Sequence, residues 1–171
     1  ITNEARALTR AKSYGMDLAE NHLIVRARLT ESQGAGNPYA GVFQRTLLAN
    51  EVHSTLTNLG LSVRRVRRGE EHLLILSSPL DDHGFSALAS RFPPLVEQMN
   101  RGYDALNITA GCGRPHTGVA GLIQSDQEAR VALRASAAKG GGLTCLDDLG
   151  LLRLIYASDP DQEVHDYIQE T

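Results

Sequence analysis

Residues 107–154 read NITAGCGRPHTGVAGLIQSDQEARVALRASAAKGGGLTCLDDLGLLRL. The stretch opens on an apolar segment, residues 106–111, with the pattern of a strand, and passes into a glycine-rich loop over residues 111–118. Leu122, Ala129, Leu133 and Ala137 then return at helical spacing, and Gly140, Gly141 and Gly142 close that helix. Residues 143–146 read as a short final strand. Asp147 or Asp148 is placed to cap a helical run through Leu151, Leu152, Leu154 and Ile155, and Asp159-Pro160 to open one more helix.

Working upstream, a helix over residues 2–14 starts at Thr2 or Asn3, carries a thin stripe of Ala5, Leu8 and Ala11, and stops at Gly15. Residues 21–29 form strand 1, and residues 31–37 a loop. Asn37-Pro38 offers a cap and a first-turn proline to a helix whose Leu48, Val52, Leu56 and Leu59 recur at spacings of four, four and three before Gly60. Residues 61–66 and 73–77 read as the arms of a β-hairpin around a polar turn, residues 67–71, longer than two residues. Its second arm is expected to be central and buried, its first half exposed. Residues 83–92 are helical, with a break at Pro93-Pro94 before Leu95, Val96 and Met99 resume the pattern. The element order α, β, α, β, β, α, β, α, β, α predicts an α+β domain: a mixed, mainly antiparallel sheet with helices packed on it, on the ferredoxin-like plan.

A chain of 171 residues can close one hydrophobic core without disulfides or a structural metal. Hydrophobic residues at 42% and charged residues at 22% exclude disordered and collagenous classes. No apolar run approaches the roughly 20 residues needed to cross a bilayer, and residues 1–10 hold no apolar signal core, so a cytoplasmic location without membrane contact is expected. Seventeen basic against 20 acidic residues give a net charge of -3, without the basic excess that duplex binding uses. Cys112 and Cys145 lie 33 residues apart with no second pair nearby, and read as reduced thiols.

Three places could carry chemistry. The hairpin tip Arg68-Gly69-Glu70-Glu71-His72 mounts two carboxylates, but neighbours on an extended chain point to opposite faces and strand 1 supplies Arg26 and Arg28 rather than an acid. The favoured reading is a solvated turn in which Arg68 and the glutamates partly neutralise each other. The loop over residues 111–118 begins like a dinucleotide fingerprint, yet His116 stands where the third glycine is required. Arg114 and the amides near Thr117 and Gly118 could still hold an anion. Cys112 is the thiol nearest a histidine, His116, in sequence, which is weak support for a nucleophile. No catalytic residue, metal or cofactor is assigned. Arg68, Glu70, Glu71, Arg114 and His116 remain as ligand-binding candidates.

The quoted stretch, with its G-x-GRP loop, EA-x-x-AL helix, GGG and DDLGLLRL turn, resembles the GGDEF-like central domain of bacterial PucR/CdaR-type transcriptional regulators, and the G-E-E-H hairpin matches that domain's turn. The resemblance implies a degenerate nucleotidyl-cyclase palm over residues 21–150. It implies a connecting helix over residues 1–20 and a helical connector over residues 151–171, leading to a DNA-binding helix-turn-helix outside this chain. Active diguanylate cyclases place GTP and metal at this turn. Here Arg68 replaces the first glycine, His72 the final aromatic, and strand 1 lacks the acidic ligand. A non-catalytic regulatory and dimerisation module, a homo-oligomer open to a small-molecule effector, is therefore expected. The alternatives are a residual nucleotide-binding or nucleotide-converting enzyme using Glu70, Glu71 and Arg114, and a small-molecule sensor.

Overall fold

The computed structural model describes residues 3–32 and 39–157. The expected cap at Asn37-Pro38 and the helix expected from Asp159-Pro160 lie outside those residues. In chain order the elements are α1 (Asn3–Ser13), β1 (Asn21–Glu31), α2 (Ala40–Asn58), β2 (Ser62–Arg68), β3 (Glu71–Ser78), α3 (Asp82–Ala89), α4 (Phe92–Gly102), β4 (Leu106–Cys112), β5 (His116–Thr117), α5 (Gly118–Ala138), β6 (Gly142–Cys145), a 3-10 turn (Leu146–Leu149) and α6 (Leu152–Ala157). Among these no helix is long and apolar enough to cross a membrane.

The six-stranded sheet runs β2-β3-β1-β4-β6, with β5 pairing the start of β1. β4 and β6 are parallel, and the other pairings are antiparallel. The order β2-β3-β1-β4 is that of the ferredoxin-like βαββαβ plan, extended by β6 beside β4. The molecule is thus the α+β domain expected from the element order, with the mixed sheet of the palm that the resemblance implies.

Alternation along each strand divides the sheet into two faces. Leu23, Val25, Ala27 and Leu29 of β1 point to the face covered by α2, α3 and α4, where they meet Leu56, Phe85, Phe92 and Met99. α5 closes the other face at very short range. A Cβ on Gly111 would run into the backbone of Leu133 and Ala129, and one on Gly113 into the carbonyl of Ser125. The helix permits this approach because Ser125, Ala129, Ala132 and Ser136, all fully buried, form its inner stripe. The two serines are satisfied there. Ser125 Oγ accepts the Ile24 N–H at 2.9 Å and donates to the Arg114 carbonyl at 2.8 Å, while Ser136 Oγ donates to the Gly142 carbonyl at 3.0 Å.

Two helix starts follow from local chemistry. Asp81 caps α3 by accepting the Gly84 N–H at 2.7 Å. Pro93 and Pro94 stand in the first turn of α4, where no amide hydrogen is needed, so the break expected at the prolines falls before them, at Ser90 and Arg91, and Phe92 opens α4 instead of ending α3.

Several local expectations are corrected. The hairpin loop is two residues, Gly69-Glu70, because Gly69 adopts a φ of 63° and the strands continue to the register pair Arg68 and Glu71. A positive φ at the first loop position alone is the type II′ pattern. The middle of the sheet is β1 rather than the hairpin's second arm: β3 lies inside the sheet between β2 and β1, but it is only half buried over Glu71 to Ile75 and fully buried over Leu76 to Ser78. Glu31 belongs to β1 and not to a loop. Asp147 and Asp148 cap no helix; they lie inside the 3-10 turn, and Gly150, at a φ of 53°, separates that turn from α6.

Replacing Gly111 by Ala is expected to destabilise the fold by about 3 kcal/mol, because the added methyl meets backbone that cannot move aside. Gly102→Ala, where the same methyl enters open space, should change the urea midpoint little. Equal midpoints for the two variants would contradict the close seating of α5.

Candidate functional site

The hairpin end of β1 gathers the first group of charges. β1 pairs Arg28 with Glu71 in register, which leaves Arg26 and Glu71 as diagonal neighbours on the face covered by α5. Arg26 Nη1 donates to Glu71, and its Nε and Nη2 donate to the two carboxylate oxygens of Asp126 at 2.6 and 3.1 Å. Asp126 is reached from its own helix by Arg130 at 3.2 Å. The Arg26 side chain is 18% exposed. Its guanidinium is held above the usual arginine range by the Asp126 hydrogen bond first and by Glu71 as well, against the opposing effect of burial. A fixed cation therefore sits between two carboxylates drawn from β3 and α5.

The remaining residues of the turn stay outside this group. Arg68 and Glu70 are exposed, and the Glu70 carbonyl accepts the Leu29 N–H at 3.2 Å, which folds the turn onto β1. The cation that meets Glu71 is Arg26 from the neighbouring strand, and not Arg68 as the sequence suggested. His72 points to the opposite face.

The glycine-rich loop forms the second group. Glu128 on α5 is 8% exposed and collects the loop's donors. The Arg114 amide donates to it at 2.8 Å and the Arg114 side chain through Nε and Nη2 at 3.3 and 3.1 Å. His116 Nε2 lies 3.1 Å from both of its oxygens, and Gln124 donates at 3.4 Å. The Gly118 N–H donates to the Leu18 carbonyl at 3.0 Å. Arg114 and His116 are thus brought together, and the anion they hold in this structure is the chain's own carboxylate. Sequence reasoning did not single out Glu128 or Asp126. A signal was present: Glu128 stands three residues after Ser125, beside the stripe of Ala129, Ala132 and Ser136, so an acid so close to a buried stripe had to have partners.

Two further features lie off these groups. Cys112 and Cys145 are register partners on β4 and β6, and both are free thiols. Interaction with the Cys145 thiol and full burial push the Cys112 thiol upward, away from the reactive thiolate. His22, fully buried on β1, shares a 2.7 Å hydrogen bond between Nδ1 and Ser77 Oγ and has an unpartnered Nε2. Burial lowers its pKa from 6.5 against the opposing charges of Glu20 and Asp17. Among the described residues no cluster of three or more histidine, cysteine or acidic side chains could hold a metal ion.

The fold and these charge groups define a nucleotidyl-cyclase-type palm whose carboxylates at the hairpin end face an arginine. A family model described as the GGDEF-like domain matches residues 2–135, from α1 nearly to the end of α5. The chain belongs to that family. No curated protein matches it significantly.

Arg26→Met leaves Glu71 and Asp126 without their shared cation, and is expected to cost about 2 to 3 kcal/mol in urea unfolding. Glu71→Gln should cost less, because Asp126 still pairs with the arginine. The histidines give a pH dependence. Folding lowers the pKa of His22 and of His72, so below the unfolded value of 6.5 the unfolded chain binds more protons than the folded one. Stability from this source is complete above 6.5 and is lost as pH falls toward the lowered values. The melting temperature should fall between about pH 7 and about pH 5.5, and His22→Gln should flatten the slope.

Proposed function

We propose that this domain is a non-catalytic regulatory and dimerisation module of a PucR/CdaR-type transcriptional regulator, coupling an upstream sensory region to a DNA-binding helix-turn-helix outside this chain. The single observation that carries the reading is the Arg26 guanidinium between Glu71 and Asp126. In an active cyclase the resemblance places acidic metal ligands at strand 1 and the hairpin. Here strand 1 presents a cation at that end of the sheet. A divalent ion approaching Glu71 would meet a permanent positive charge already bonded to it, and Arg26 cannot deprotonate to make way.

What remains is a scaffold that transmits force and assembles. The family match supports the domain type. Leu151 just before α6, and Leu152 and Leu154 within it, are exposed apolar side chains, a composition suited to contact with another chain or another domain. The domain acts in this reading through packing and orientation, needs no cofactor, and works in the cytoplasm, and DNA is reached only through the neighbouring helix-turn-helix.

Incubation with GTP or ATP and magnesium or manganese is expected to yield no cyclic or pyrophosphate product. Turnover that disappears in Glu71→Ala would overturn the regulatory reading in favour of a residual nucleotide-converting enzyme. Light scattering should find a dimer at high protein concentration, and a clean monomer would remove dimerisation from the proposal.

A further inference from the structure

The face of the sheet opposite α5 is not filled. Between it and helices α2 and α4 lies a cleft of about 400 Å³. That volume is within the range of small-molecule sites, roughly 300–1,000 Å³. Its interior is mainly hydrocarbon: Leu48 and Val52 of α2, Leu74 of β3, and Leu95, Val96 and Met99 of α4 line it. Its hairpin end is cationic. The β2–β3 register pairs Arg67 with His72 and Arg65 with Leu74, so period-two alternation sets Arg65, Arg67 and His72 on the cleft face, and Arg45 comes down to them from α2.

These cations are poorly matched by acids. Arg45 Nε is buried without a hydrogen-bond partner. Its Nη2 reaches the Leu29 carbonyl only at 3.5 Å and Glu31, a largely exposed carboxylate, only at 3.9 Å. Arg65 pairs with no acid among the described residues. Burial first, and then the charges of Arg65, Arg67 and Arg45, oppose protonation of His72, and Arg45 and Arg65 line the cleft with it. A buried guanidinium nitrogen with no acceptor, at the mouth of an apolar cleft, is an arrangement that an anionic head with an apolar body completes.

We infer that this cleft is a binding site for a small amphipathic monoanion, its carboxylate held by Arg45 and Arg65 beside His72 and its hydrocarbon body lying between α2, α4 and the sheet. The size fits one such molecule. Away from the cations the lining is mostly hydrocarbon, with Asn50, His53 and Thr55 of α2 as its few polar side chains, which disfavours sugars and nucleotides, most of whose hydroxyls and ring nitrogens would lose water without replacement. The site stands apart from the Arg26 and Glu128 groups, which lie on the other face, and it does not depend on whether the domain is coupled to DNA.

Titration calorimetry with decanoate, kept below its micellar concentration, tests this on the whole chain. One saturable site per chain is expected, with decan-1-ol bound at least tenfold more weakly. Arg45→Met should weaken decanoate about tenfold, a loss of about 1.4 kcal/mol. Leu95→Trp, which fills the apolar end, should abolish binding while circular dichroism and the melting temperature confirm the fold. Arg65→Met serves as a second charge variant if Arg45→Met does not fold. Absence of saturable decanoate binding, equal affinity for the alcohol, or undiminished binding to the folded Leu95→Trp chain would each overturn the site.

Discussion

α5 rests on β1 and β4 at backbone distance, and much of the chemistry of the molecule is set by that contact. It requires the missing side chains of Gly111 and Gly113 beneath the helix and the small stripe of Ser125, Ala129, Ala132 and Ser136 above them. Ser125 then locks the helix in rotation by bonding Ile24 of β1 and Arg114 of the loop. Once Ser125 is fixed, Asp126 and Glu128 have little freedom: one is delivered to Arg26 and the other to Arg114 and His116. Two charge groups widely separated in sequence are therefore consequences of one close helix–sheet packing. A looser helix would leave three carboxylates and two arginines to water, where such pairs contribute little.

The same contact satisfies the charges of the polar face internally. Arg26 is held by carboxylates on two sides, and Glu128 takes donors from a backbone amide, a guanidinium, a ring nitrogen and a side-chain amide. Each buried charge has several hydrogen bonds, which is the condition under which a partly buried ion group is tolerated rather than merely costly. An incoming phosphate or metal would have to displace these internal bonds before making its own. Preorganisation here works for the fold and against a ligand.

The element order could be read from the chain because its punctuation is local. Gly60, Gly69, the prolines at 93 and 94 and the triple glycine after α5 each act on their immediate neighbours, and the apolar spacing between them names helix or strand. The two-residue hairpin loop is hidden for the opposite reason: Arg67 and Arg68 look like turn residues by polarity, yet they continue the edge strand β2 with their side chains in water, and Glu71 opens β3 because Arg26 meets it on the neighbouring strand. The Arg26–Asp126 pair spans 100 residues and the Cys112–Cys145 pair 33, and nothing in the sequence alone fixes which strands become neighbours. Arg114 and His116 were visible as candidates. That their partner would be Glu128 depended on the rotation of α5, a property of packing.

Arg26 and Arg45 show how the two faces of one sheet have diverged. Both guanidiniums lie against β1, and both are largely removed from water. Arg26 faces a helix pressed so close that acids on α5 and β3 can reach it with short hydrogen bonds. Arg45 is carried by α2, which packs less closely on the sheet, so its contacts to Leu29 and Glu31 are long and its Nε has none. The difference does not come from the arginines, which carry the same charge and the same donors, but from the spacing of the layers around them. Small residues in α5 close one face and satisfy its cation. Larger ones in α2 and α4, meeting the sheet less closely, leave the other face with a cavity and an unmet donor at its mouth. Ligand affinity in such a fold is expected where desolvated charge is unsatisfied, and that places it beneath α2 rather than at the hairpin tip where a cyclase would have it.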